Sequence, residues 1–191
     1  MRKMLFLLFA VGLLGCNESA KPAEKAERII ATPEKESPPD GQYFLFDEVL
    51  HFHSSADEDA VYEEKAPSEA NKSLYKLLVE SYPDKLPDNS FIGQLDKLGL
   101  TEKKLDTVLN PKIAAIFSNR VPRSSKASLC THFYRDILVF KNHGQVSGIA
   151  KICFGCNAKI IFGAHVSTDG FAGYDELEKI LQKQASSGGS G

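Results

Sequence analysis

The stretch 129-LCTHFYRDILVFKNHGQVSGIAKICFGCNAKIIFG-163 decides the fold. Apolar and β-branched residues run through it, broken at Asn142-His143-Gly144 and again at Gly155. Runs of this kind between turn residues read as strands, and glycine supplies the positive φ of a tight hairpin. Three strands fit, at about Leu129–Lys141, Gln145–Phe154 and Asn157–Gly163. Joined in sequence, they predict a C-terminal antiparallel meander. The stretch also holds Cys130, Cys153 and Cys156, every cysteine beyond Cys16.

Downstream, Leu177, Ile180 and Leu181 share a face over Tyr174–Lys183, and Asp175 and Glu176 stand in the first turn, where the dipole favours acids. That spacing predicts a closing helix, followed by a flexible Ser/Gly tail over 185–191. Upstream, Asn110-Pro111 reads as a cap and a first-turn proline leading into Ile113, Ile116 and Phe117. Thr101 is expected to open a helix carrying Leu105, Val108 and Leu109, and Ser90 to cap one carrying Phe91, Leu95 and Leu98. Ser68 caps a third, over about Glu69–Tyr82, which Pro83 stops. The acidic run Ser54–Glu64 reads as a loop. Before it, Gln42–Ser54 alternates: Phe44, Phe46, Leu50 and Phe52 fall on one parity, His51 and His53 on the other. That is the pattern of a half-buried strand. Helices followed by strands, without strand–helix alternation, argue against a parallel sheet. The expectation is one α+β domain over 42–184: an N-terminal strand, helices, a three-stranded C-terminal meander and a closing helix.

The N-terminus is of another kind. Arg2 and Lys3 precede the apolar run Met4–Leu14, which is shorter than the roughly 20 residues needed to span a bilayer. It ends in Leu13-Leu14-Gly15-Cys16, which resembles the lipobox of bacterial lipoproteins. The resemblance implies a signal peptide over 1–15 and attachment of lipid, palmitate included, at Cys16. Residues 16–41, rich in Ala, Lys, Glu and Pro, read as a disordered tether with a reach near ~30 Å. Together these place the domain in the bacterial cell envelope, periplasmic or surface-facing, with the membrane as a partner through the N-terminal lipid.

With 23 Lys and Arg against 25 Asp and Glu, the formal net charge is -2. No global field attracts nucleic acid, and the basic loop Arg120–Lys126 reads as solvated, so no nucleic-acid partner is expected.

Once Cys16 is an anchor, three cysteines remain. In an oxidising compartment the simplest arrangement is one disulfide and one leftover thiol. A three-residue hairpin loop sets Cys130 opposite Cys156. A two-residue loop sets it opposite Asn157 and faces Asp136 with Lys151. A turn at Phe154-Gly155 would instead let Cys153 pair with Cys156, so the connectivity stays open. Cys-x-x-Cys lacks the helix N-terminus that thioredoxin-like chemistry uses, and position 157 is Asn where haem attachment needs His. Cys130, Cys153 and Cys156 with His132, or with His165, would make a zinc set, the alternative to an expectation of no cofactor. His51 and His53 share a strand face and could hold a metal, but with no third ligand in view they read as two histidines on a semi-exposed face. Ser124-Ser125 sits in no nucleophile elbow, and Arg135-Asp136 reads as an exposed face.

Cys130, Tyr134-Arg135-Asp136, Val139-Phe140, Gly144 and Ile152-Cys153-Phe154-Gly155-Cys156 together resemble a group of uncharacterised bacterial secreted proteins and lipoproteins. That group carries an upstream Cys, a hairpin and an Ile-Cys-Phe-x-Cys run. The resemblance implies that the three cysteines act as a set and brings no activity with it. No catalytic residue is assigned. The expected role is a binding or accessory module, braced by a disulfide, for a protein or small-molecule partner. The alternative is a metal-binding or thiol-redox site on Cys130, Cys153 and Cys156.

Overall fold

His143-Gly144 forms the two-residue turn of the hairpin, with φ of 49° and 76°, the doubly positive geometry that matches the twist of antiparallel strands. It joins β3 (Asp136–Asn142) to β4 (Gln145–Cys153). A second turn over 154–157 leads to β5 (Ala158–Phe162), completing the expected meander. These elements come from a computed structural model that describes residues 37–39, 41–63, 68–119 and 130–187. The expected signal peptide, Cys16, the Arg120–Lys126 loop with Ser124-Ser125, and residues 188–191 of the expected tail lie outside the described residues, as does most of the expected tether.

The N-terminal strand, β1 (Glu48–His53), pairs antiparallel with β3, so the first strand among the described residues sits inside the sheet. Its outer neighbour is β2 (Thr101–Lys104), giving the order β2-β1-β3-β4-β5. Thr101 thus opens a strand where a helix was expected. Thr-Glu-Lys-Lys has no apolar period of its own, and pairing with β1 and the ion pair of Lys104 with Glu48 hold it extended.

Both faces of the sheet are covered. Val49, Leu138, Phe140, Ala150 and Ile152 pack with Tyr43, Phe44 and Phe117 beneath α4 (Asn110–Ile116) and α5 (Tyr174–Ser187). Leu50, Phe52, Ile137, Val139 and Ile149 pack beneath α2 (Glu69–Val79) and α3 (Ser90–Lys97). This two-sided cover corrects the reading of 42–54 as a half-buried strand. Residues 43–47 are irregular, so their parity does not continue into β1. The acidic loop likewise contains a short helix, α1 (Glu58–Glu63), with Asp57 accepting from the Ala60 amide.

Local signals hold elsewhere. The Ser68 hydroxyl accepts from the Asn71 amide at 3.2 Å and starts α2, an interaction of about 1 kcal/mol. For α3 the acceptor is two positions earlier than expected: Asp88 takes the Ser90 amide at 2.9 Å. The first meander strand begins at Asp136 and not near Leu129, because the Tyr134 amide donates to the Leu78 carbonyl at the end of α2. The closing helix runs to Ser187, so the first residues of the expected tail are helical. No helix among the described residues is long and apolar enough to cross a membrane.

Candidate functional site

A bulge decides where the polar groups of the sheet point. From the turn, Asn142 faces Gln145 and Lys141 faces Val146, but Phe140 faces Gly148, leaving Ser147 as an extra residue in β4. Its hydroxyl donates to the Phe140 carbonyl at 3.3 Å. Without this step a two-residue loop would oppose Asp136 and Lys151. With it, Asp136 faces Ile152, and Lys151 faces Ile137 and points to the α2 side.

There Lys151 is fully buried. Its ammonium donates to the carbonyls of Glu80 at 2.6 Å and Tyr82 at 3.0 Å, and lies 5.1 Å from the centre of the Tyr134 ring. It thereby holds the chain that leaves α2, at the end where a cation is favoured. Burial pushes its pKa down to about 7, with the charge of Glu80 opposing.

On the other side of the sheet Asp136 meets both histidines of β1. It stands directly opposite His53 in the register, with His51 two residues along the same face. His51 Nε2 lies 2.8 Å and His53 Nδ1 2.9 Å from the same oxygen, Asp136 Oδ1. The side chains of His51 and Asp136 are 11% and 13% exposed, while that of His53 is 48% exposed, so the cluster is closed at one end and open at the other. Lys103 and Thr101 of β2 stand opposite His51 and His53. Burial by itself would raise the Asp136 pKa, but the hydrogen bonds and charge of the two histidines outweigh it and hold the carboxyl below its usual range.

Asp136 also lines an open cleft of about 360 Å³, together with Glu58, Arg135, Glu178 and the Cys130–Cys156 pair. The expected exposed face at Arg135-Asp136 is therefore corrected. Asp136 is buried, and Arg135 reaches toward Glu58 at 3.6 Å and lies over the Phe133 ring.

Cys130 and Cys156 form a disulfide, with Cα atoms 5.9 Å apart. The register that suggested the pairing does not operate, since Cys130 lies ahead of β3 in an irregular segment. The bond instead ties that segment to the β4–β5 turn. Cys153, at the end of β4, is a buried free thiol and is not bonded to Cys156. Of the four side chains in the sequence-derived zinc set, two sulfurs are thus joined to each other, and His132 is exposed beside Tyr134. His165 is exposed on the segment after β5, its amide donating to the Tyr43 carbonyl.

The third member of the histidine cluster escaped the sequence reading. Its signal was divided between the His-x-His spacing of β1 and a carboxylate 85 positions from His51. Only the β1–β3 register brings the two together.

Fold and cluster define an α+β domain with a five-stranded antiparallel sheet and a two-histidine, one-carboxylate group on one sheet face. Compared with known proteins, the chain matches no family model, no curated protein and no solved structure.

Proposed function

We propose that the chain is a lipid-anchored protein of the bacterial cell envelope, held at Cys16, whose α+β domain serves as a binding or accessory module. The observation that carries this reading is the Cys130–Cys156 disulfide. Such bonds persist in oxidising compartments and are rare in the cytosol, so the bond supports the same location as the lipobox-like Leu-Leu-Gly-Cys, by independent chemistry. The cleft beside the disulfide, with Arg135, Glu58 and Glu178 at its walls, offers the concave surface for a small-molecule or peptide partner.

The test is metabolic labelling of a bacterial host with radioactive palmitate. The full chain takes up label and pellets with membranes, while Cys16→Ala takes up none and is released from the pellet. Equal labelling of the two chains would overturn the anchor.

A further inference from the structure

We propose that His51, His53 and Asp136 bind a divalent first-row transition ion of the zinc class. The proposal deepens the binding-module reading by naming a ligand, and it rests on the domain and not on the anchor.

Three observations carry it. Two imidazole nitrogens and a carboxylate oxygen come within 4.8 Å of one another. They are delivered by two adjacent strands, each hydrogen-bonded on both sides in the sheet interior. Zinc is bound at ~2.0–2.2 Å by such donors, and a tetrahedral arrangement then sets ligand atoms about 3.3 Å apart. The present contacts of 2.8 and 2.9 Å are slightly tighter than that, so small side-chain rotations open the space for an ion.

The second observation is how the histidines use the carboxylate. Here both rings converge on Oδ1, and among the described residues Oδ2 has no hydrogen-bond partner. Two ring nitrogens and a carboxylate oxygen are thereby gathered at one spot, with the second oxygen left for an ion or for water.

The third is exposure. His51 and Asp136 are buried, whereas His53 is half exposed, so an ion could arrive from solvent and keep a position for water or an incoming ligand. Two histidines and one carboxylate with an open position make a ligand set that suits zinc and related divalent ions, whereas magnesium and calcium prefer all-oxygen sites. Because Asp136 also lines the cleft, a molecule held there would lie beside the bound ion.

The test is calorimetric titration of the detergent-solubilised, metal-stripped full chain with zinc chloride, with magnesium chloride as the comparison. The expected result is uptake of about one zinc per chain, no uptake of magnesium, and at least about tenfold weaker zinc binding in His53→Gln and Asp136→Asn. Cys153→Ser, which removes the free thiol, leaves zinc binding unchanged. A second readout needs no variant: zinc shifts the imidazole resonances of His51 and His53 in the wild-type chain and leaves those of His132 and His143 in place. Absence of zinc uptake, unchanged binding in both variants, or unmoved His51 and His53 resonances would each overturn the proposal. Palmitate labelling at Cys16 is indifferent to all of these results, so the anchor and the metal site fail separately.

Discussion

Replacing both Cys130 and Cys156 by serine tests the brace directly. The bond joins residues separated by 26 positions. Closing a loop of that length in the unfolded chain removes roughly 12 cal/mol/K of entropy, or about 3.5 kcal/mol at 25 °C. With a urea m-value of about 2 kcal/mol/M for a domain of this size, the midpoint should fall by ~1.7 M. Two urea titrations followed by far-ultraviolet circular dichroism, one for each chain without reductant, measure the difference. Reducing the wild-type chain should reproduce most of the shift, because it breaks the same bond without changing the side chains' positions. Alkylation under denaturing conditions supplies the count: among Cys130, Cys153 and Cys156, only Cys153 is labelled before reduction, and the other two are added after it. A loss below about 1 kcal/mol, with an unchanged midpoint on reduction, would refute the reasoning, since loop-closure entropy at this length predicts about three times as much.

Two further outcomes follow from the sheet. Lys151 titrates at about 7 in the folded chain against 10.5 unfolded. Between these values the unfolded state binds a proton that the folded state lacks, so stability rises with pH across that window, by up to ~1.4 kcal/mol per unit. The slope vanishes below the folded pKa, where both states are protonated, and the two carbonyl acceptors moderate it. Tyr174, which burial pushes up to about 12, acts with opposite sign above its ordinary value of 10.0. Urea midpoints measured across the Lys151 window should therefore climb more steeply in the wild type than in Lys151→Met, where Lys159, also held down by burial, still titrates, and equal slopes in the two chains would contradict this account. At Gly148, a Cβ would overlap the ring of Phe44, which is fully buried and stacked on Phe140 at 4.3 Å. Gly148→Ala should cost about 1–3 kcal/mol, with Phe44→Leu in the same chain recovering part of it. Additive losses in the double variant would show that the two positions do not meet.

The meander was legible because its information is local. Asn142-His143-Gly144 demands positive φ, and the apolar runs on either side are strand-like without help from the rest of the chain. Ser68 and Asn110-Pro111 were legible for the same reason, since a cap or a first-turn proline acts within one helical turn. Thr101–Lys104 was not legible, because four polar residues become a strand only when β1 offers them a partner. The disulfide pairing was among the arrangements the sequence left open, though the strand register that suggested it is not what produces it. The histidine cluster lay beyond reach. It depends on the pairing of β1 with β3 across 83 positions, and the side of the sheet that receives Lys151 depends on a single inserted residue, Ser147. No hydrophobic pattern records such a step.

The placement of β1 also sets an order of events. The first strand among the described residues is an interior strand, and its partner β3 begins more than 80 positions later, as the 83-residue span from His53 to Asp136 shows. The meander can zip from its two-residue turn within microseconds, whereas seating β1 must wait for a long loop to close. A chain threaded through a membrane N-terminus first, as the proposed leader requires, would carry β1 across before its partner had emerged. It would have no completed sheet to unravel on the way, and assembly would finish on the side where the disulfide can form.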